Sequence, residues 1–244
     1  MSASSALPDL RSLLEQRFPD ATPVTHRTAE PVATGIQLLD SILPNGGLPR
    51  GRLTVWMPQG GATAILRAAC NTVASTGERS AWIDGLGTIT GQFWDEGPVL
   101  VRPANRRNAL RAAEELMRCG GFALIVLTGS EPAGTEMVRL SRSAREGGAA
   151  FVALTTHTSM ASVRMVSRIM PHSYVWQRSP FGDPAEACSA SVSVRAQSLG
   201  WNRKTEFRVP IIQHDVRSSL EEGLPDRRGL RTADVLRKAE KGLS

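Results

Sequence analysis

Apolar residues recur along this chain in two rhythms. Short apolar runs bounded by Gly and Pro predict strands at Leu53–Met57, Ser80–Asp84, Val99–Val101, Phe122–Leu127, Phe151–Leu154 and Tyr174–Trp176. Helical spacing between them predicts helices over Ala62–Ser75, Asn105–Arg118, Thr135–Glu146 and Met160–Met170. Leu110, Ala113, Leu116 and Met117 mark the inward face of the second helix, and Met137, Leu140 and Ala144 that of the third. Near the end of this region, Ser191–Gln197 and Thr205–Ile212 alternate apolar and polar, as a half-exposed hairpin does. Strand and helix alternating in this way predict an α/β fold: a doubly wound core on a mostly parallel sheet, with an antiparallel hairpin at one edge.

The pattern weakens at both ends. Residues 1–32 read as an N-terminal helical arm and linker. Asp9 is placed to cap a short helix with Leu10, Leu13, Leu14 and Phe18 on one face, and Pro19, Pro23 and Pro31 then interrupt regular structure. Such an arm either docks on a partner or folds back on its own domain. The core spans residues 33–212. Residues 213–244 form a charged tail, with a helix predicted from Thr232 to Lys241 that offers Val235 and Leu236 as its main apolar residues, after the Arg227-Arg228 pair. So thin a stripe needs a covering partner to be held, which makes the arm and the tail the candidate partner-binding elements.

Composition narrows the classes. With 244 residues, 41% of them apolar, the chain can bury a core without disulfides or metal. The three cysteines, Cys70, Cys119 and Cys188, are widely spaced, and the four histidines share no ligand spacing, so no metal or disulfide framework is expected. The longest apolar run, Phe122–Leu127, is far too short to cross a bilayer, and Met1–Ala6 has no secretory pattern. A cytoplasmic protein without membrane contact is the expectation.

Charge adds a partner class. Lysine plus arginine exceed aspartate plus glutamate by 29 − 23 = +6, which suits an acidic partner such as nucleic acid. The first lysine is Lys204, so no chemistry in residues 1–203 can use one. Arg106 and Arg107 lie at the start of one predicted helix, Arg164 and Arg168 share a face, and Trp201, Arg203 and Lys204 fall at the predicted hairpin tip. These are the candidate nucleic-acid residues, which makes DNA a candidate partner, with Trp201 either stacking on a base or folding back on the sheet.

In a doubly wound fold, ligands bind at the carboxyl ends of the strands, so the first strand-to-helix turn is the place for a phosphate loop. Such a loop needs glycines, a lysine and a Ser/Thr in the pattern G-x-x-x-x-G-K-[ST]. The turn here places Met57 and Ala62 at the two glycine positions, Thr63 at the lysine and Ala64 at the Ser/Thr. Gly60 and Gly61 still allow a tight turn. The strand expected to end in a magnesium-binding Asp ends in Thr128, and Asp84 is followed by Gly85-Leu86-Gly87, which suits a turn residue better than a catalytic base. No catalytic residue, cofactor or enzymatic activity is therefore expected.

The segments Thr34-Gly35-Ile36-Gln37-Leu38-Leu39-Asp40, Gly46-Gly47-Leu48-Pro49-Arg50-Gly51-Arg52 and Ala81-Trp82-Ile83-Asp84 resemble the core of RecA-type recombinases over roughly residues 30–212. The resemblance puts the family's catalytic glutamate at Leu86 and its lysine pair near Arg195 and Gln197. The loop that would carry DNA contacts and a nucleotide-sensing glutamine is reduced to Thr155-Thr156-His157-Thr158-Ser159. The chain also looks like the ImuA family, RecA-like proteins of damage-induced mutagenesis cassettes. That resemblance implies a non-catalytic adaptor in SOS-induced translesion DNA synthesis. Its implied partners are RecA, a Y-family-polymerase-like protein and an error-prone replicative polymerase complex. A SulA-type cell-division inhibitor and a divergent ATPase are the alternatives.

Overall fold

A computed structural model describes residues 30–89, 97–157, 160–178, 181–182 and 184–211. All of them belong to one compact unit, Met1–Ile211. The arm residues Leu10, Leu13, Leu14 and Phe18 and the tail residues Arg227, Arg228, Val235 and Leu236 lie outside the described residues.

The described strands form one sheet. Five of them, in the order β3 (Val99–Val101), β2 (Ser80–Asp84), β4 (Leu124–Thr128), β5 (Ala150–Leu154) and β1 (Arg52–Gln59), run parallel. β6 (Val163–Ile169) continues parallel beside β1. β8 (Pro184–Ser198) then turns antiparallel, carrying β6 and β7 (Val175–Arg178) along one side and β9 (Trp201–Pro210) along the other. Residues 199–200 close the hairpin between β8 and β9. The expected parallel sheet with an antiparallel edge is what forms.

Two apolar layers flank this sheet. On one face, α2 (Ala62–Ser75) packs Ile65, Leu66, Ala69 and Val73 against Trp56, Trp82, Val126 and Val152, and the same layer continues to Val192, Val194, Phe207 and Val209 at the antiparallel edge. On the other, α3 (Arg106–Arg118) and α4 (Thr135–Gly147) bury Leu110, Met117, Met137 and Leu140 against Leu53, Val55, Ile83, Leu127 and Phe151. Among the described residues none of β6, β8 or β9 belongs to this second layer. The described residues therefore cover the sheet on both faces from β3 to β1, and on only one face beyond it.

Local chemistry explains the boundaries. Asn105 caps α3 by accepting the Asn108 amide at 2.9 Å, the Asn-to-helix start its sequence position predicts. Before β1 comes a short helix, α1 (Gln37–Asp40). Asp40 Oδ1 accepts from both the amide (2.9 Å) and the hydroxyl (2.8 Å) of Thr34, which closes the segment into a loop. Gly35 inside that loop has φ +76°, and a Cβ there would meet Thr72 Oγ1 at 2.2 Å, so only glycine fits.

One element differs from the expectation. The helix expected over Met160–Met170 does not form, and Val163–Ile169 is strand β6. The same segment also alternates Val163, Met165 and Ser167 inward with Arg164 and Arg168 outward. Pairing on both sides, to β1 and to β8, selects the second pattern, as tertiary context does in short β-branched segments.

Candidate functional site

The carboxyl ends of β1, β2, β4 and β5 define the edge where this architecture places ligands. At β1 the strand does not stop where a phosphate loop would begin. It pairs with β6 through Met57↔Val166, Pro58↔Ser167 and Gln59↔Arg168, and only Gly60 and Gly61 separate it from α2. Gly61 has φ +79° and caps the helix without a side-chain bond. A Cβ on Gly61 would meet Val192 Cγ1 at 2.9 Å, and one on Gly60 would meet Ile169 Cγ1 at 3.4 Å, so apolar side chains from β8 and β6 back the turn closely.

The turn is also tied inward. Ser167 Oγ donates to the Gly60 carbonyl at 2.7 Å and accepts from Trp56 Nε1 at 2.9 Å. A phosphate cradle needs several amides converging on an anion. Here the strand ladder takes the preceding residues and the Gly60 carbonyl faces the protein. Of the motif positions, Met57 is half-buried in the ladder, Ala62 is buried, Thr63 is exposed and Ala64 half-buried. None of them offers a cation.

Asp84, at the end of β2, is 1% exposed. Its Oδ1 accepts from the amides of Leu86 (3.2 Å) and Gly87 (3.0 Å), and its Oδ2 from that of Ile89 (2.7 Å). Thr128 Oγ1 approaches the same carboxylate at 3.5 Å and accepts from Trp82 Nε1 at 3.3 Å. The carboxylate is thus a turn-organising acceptor whose lone pairs are taken by backbone. Leu86, at the position the recombinase resemblance gives to a catalytic glutamate, is 68% exposed.

Beside it, Glu131, Thr156 and His157 gather at the ends of β4 and β5. Thr156 Oγ1 reaches Glu131 Oε1 at 3.4 Å and His157 Nε2 lies 3.6 Å from Oε2. Among the described residues no group of three His, Cys, Asp or Glu side chains could hold a metal.

The candidate nucleic-acid residues separate into different places. Arg106 is engaged in a fork with Glu136 and also donates to the Glu131 carbonyl at 2.9 Å. Its hydrogen bond to Arg106 holds the Glu136 carboxyl below the usual carboxylate range. Arg106 is therefore committed within the molecule, and Arg107 remains exposed beside it on α3. Trp201 packs half-buried against the first apolar layer, the fold-back alternative, and Arg203 reaches toward the Ser41 carbonyl at 3.4 Å. Arg164, Arg168 and Lys204 instead share the sheet face that the described residues leave uncovered beyond β1. Arg195 and Arg208 join them there, and the sequence reading did not place either in this set. Their signal was the outward parity of two strands, Arg195 in β8 and Lys204, Glu206 and Arg208 in β9, which required the pairing register to be used.

No family model matches the chain. RecA of Acinetobacter baumannii (strain AYE) is 32% identical over 137 residues, which is 51% of this chain and 39% of that protein. RecA of Borrelia turicatae is 32% identical over 111 residues, 40% of this chain and 29% of that protein. RecA of Streptomyces venezuelae is 32% identical over 113 residues, 41% and 30% of the two chains. The chain spans 29% to 39% of the length of these relatives. These partial matches and the α/β sheet give a distant RecA-like relationship and a RecA-like core.

Several residues that carry the resemblance have structural work. Gly47-Leu48 forms the bridge to Val32, whose amide and carbonyl bond Leu48 at 2.9 and 2.8 Å. Arg50 ties the segment before the core to Glu78, 2.7 Å from Oε1 and 2.6 Å from Oε2, and donates to the Glu30 carbonyl at 2.8 Å. Among the described residues no helix is long and apolar enough to cross a membrane.

Proposed function

We propose that this chain is a RecA-like protein without nucleotide turnover that works as an adaptor in damage-induced mutagenic translesion DNA synthesis. In this reading it engages RecA and a Y-family-polymerase-like protein acting with an error-prone replicative polymerase, in the cytoplasm at the nucleoid. The observation that carries it is the closed turn between β1 and α2: two glycines backed by Ile169 and Val192, with the Gly60 carbonyl bonded to Ser167. The absence of any lysine before Lys204 and the use of Asp84 as a backbone acceptor support it. A RecA-like core without its motor chemistry keeps only its surfaces to work with, and the arm (residues 1–32) and tail (residues 213–244) are the partner-binding elements of this proposal.

The test is affinity capture of the full chain from DNA-damaged cells of its host, with mass spectrometry of what is retained. The adaptor reading expects RecA or a polymerase-like protein, with retention lost on deleting the arm or the tail. Capture of the division tubulin homologue, or ATP turnover that Gly60→Val abolishes, contradicts it.

A further inference from the structure

The sheet face beyond β1 that the described residues leave uncovered carries a charge pattern that the adaptor reading does not use. The pairing registers place its side chains in rows. Arg164 lies opposite Gln197, which lies opposite Asn202. In the next row are Val166, Arg195 and Lys204, then Arg168, Ser193 and Glu206, and Arg208 follows opposite Ser191. Neighbouring strands are about 4.8 Å apart and successive rows on one face about 6.6 Å apart, so the five cations, spread over four rows of three strands, occupy a patch roughly 10 Å by 20 Å. All five are exposed, and Glu206 is the one acid in these rows.

Elsewhere four arginines are matched by acids. Arg50, Arg106, Arg139 and Arg142 pair with Glu78, Glu136, Glu114 and Glu146. Among the described residues none of Arg164, Arg168, Arg195, Lys204 and Arg208 has an acidic partner within bridging distance. The segments outside the described residues are not complementary either. Residues 1–29 hold three cations and three acids, and residues 212–244 hold seven cations and six acids.

We propose that this face binds the sugar–phosphate backbone of nucleic acid. The proposal does not rest on the adaptor reading. A protein partner would need an apolar anchor at the centre of its footprint. The rows contain only half-buried Val166 and no aromatic side chain, so a protein gains little there and bases have nothing to stack on. What remains is charge, which a polyphosphate chain meets without sequence preference. Beside Arg164 and Gln197, and outside these rows, a hollow of about 630 Å³ extends past Leu199 and the half-buried Trp201 to Gly200 and Asn202 at the hairpin turn, at the amino end of β6 and away from the turn after β1. It lengthens the track along the same edge.

The experiment is fluorescence anisotropy of a labelled 20-nucleotide oligothymidine titrated with the full chain across a salt series. Engaging three or four phosphates predicts a log–log salt slope of about −2 to −3, a loss of roughly 15- to 60-fold between 50 and 200 mM salt. The triple variant Arg164→Ser, Arg195→Ser, Lys204→Ser should bind at least tenfold more weakly with a slope near −1. The control Arg111→Ser, Arg118→Ser, Arg145→Ser removes the same charge from the helical side and should stay within twofold. Glu206→Gln keeps every cation and should tighten binding about two- to threefold, a gain that misfolding cannot mimic. The proposal is overturned by absence of saturable binding at 50 mM salt, or by equal losses in the two triple variants. Displacement by tripolyphosphate at matched phosphate as effectively as by unlabelled oligonucleotide, or tighter binding of poly-glutamate, would also overturn it.

Discussion

Replacing Ser167 by alanine tests how firmly the turn after β1 is closed. Ser167 is fully buried on β6, and its hydroxyl serves two partners on β1 and the turn: it accepts from Trp56 Nε1 at 2.9 Å and donates to the Gly60 carbonyl at 2.7 Å. Ser167→Ala leaves a buried indole N–H and a carbonyl without their bonds. Each loss costs about 1–3 kcal/mol, and because half-buried Gly60 recovers part of its hydration, the total is about 2–4 kcal/mol. For a folded unit of this size that corresponds to a fall in Tm of roughly 4–16 °C. Urea unfolding followed by tryptophan fluorescence should show the lower midpoint with an unchanged slope. A cycle with Trp56→Phe should recover about 1 kcal/mol of coupling, since the phenyl ring brings no N–H to be orphaned. A loss below about 0.5 kcal/mol for Ser167→Ala, or no coupling to Trp56, would refute the tie.

Asp84→Asn should destabilise by about 1–3 kcal/mol, because an amide nitrogen replaces one oxygen in a site where three backbone N–H groups donate; an unchanged melting temperature would contradict this. In native protein at pH 8, a chromogenic disulfide reagent should modify exposed Cys119 and Cys188 quickly and Cys70 only on unfolding, since burial pushes the Cys70 thiol up to about 12 against a weaker opposing bond from Ser80. Three fast thiols would show the α2 packing to be wrong. Arg106 lowers the folded-state titration of Glu136, so the pair's contribution is present above the ordinary glutamate value of about 4.3 and is lost as pH falls through the lowered value. The Tm gap between the natural protein and Glu136→Gln should therefore close between pH 5 and 3, roughly, and a gap independent of pH would exclude the ion pair as its source.

Most of the fold was legible because its signals were local and mutually consistent. The apolar runs that became β1, β2, β4 and β5 are buried on both faces, so periodicity could be ignored and length alone told strand from helix. Asn105 and the glycines near helix ends marked boundaries by their own backbone chemistry. The segment at Met160–Met170 was not legible, because seven residues of alternating Val, Met and Arg fit either period until β1 and β8 supply partners.

The departure from the phosphate-loop pattern was readable from residue identity at Met57, Ala62, Thr63 and Ala64. That β1 continues through Gln59 was not readable, since it depends on pairing with Arg168 far along the chain. The cationic face was half visible: spacing put Arg164 and Arg168 together in a helix, and they stay together in a strand because i and i+4 share a face in both. Arg195, Lys204 and Arg208 joined them only through the hairpin register.

The central claim, a RecA-like core that does not turn over nucleotide, meets its most direct test in equilibrium titration of the full chain with labelled ATP and magnesium, followed by phosphate release under the same conditions. The account predicts no saturable binding and no release above the protein-free rate. Binding in the micromolar range with release, both abolished by Gly60→Val in a protein that remains folded, would contradict it.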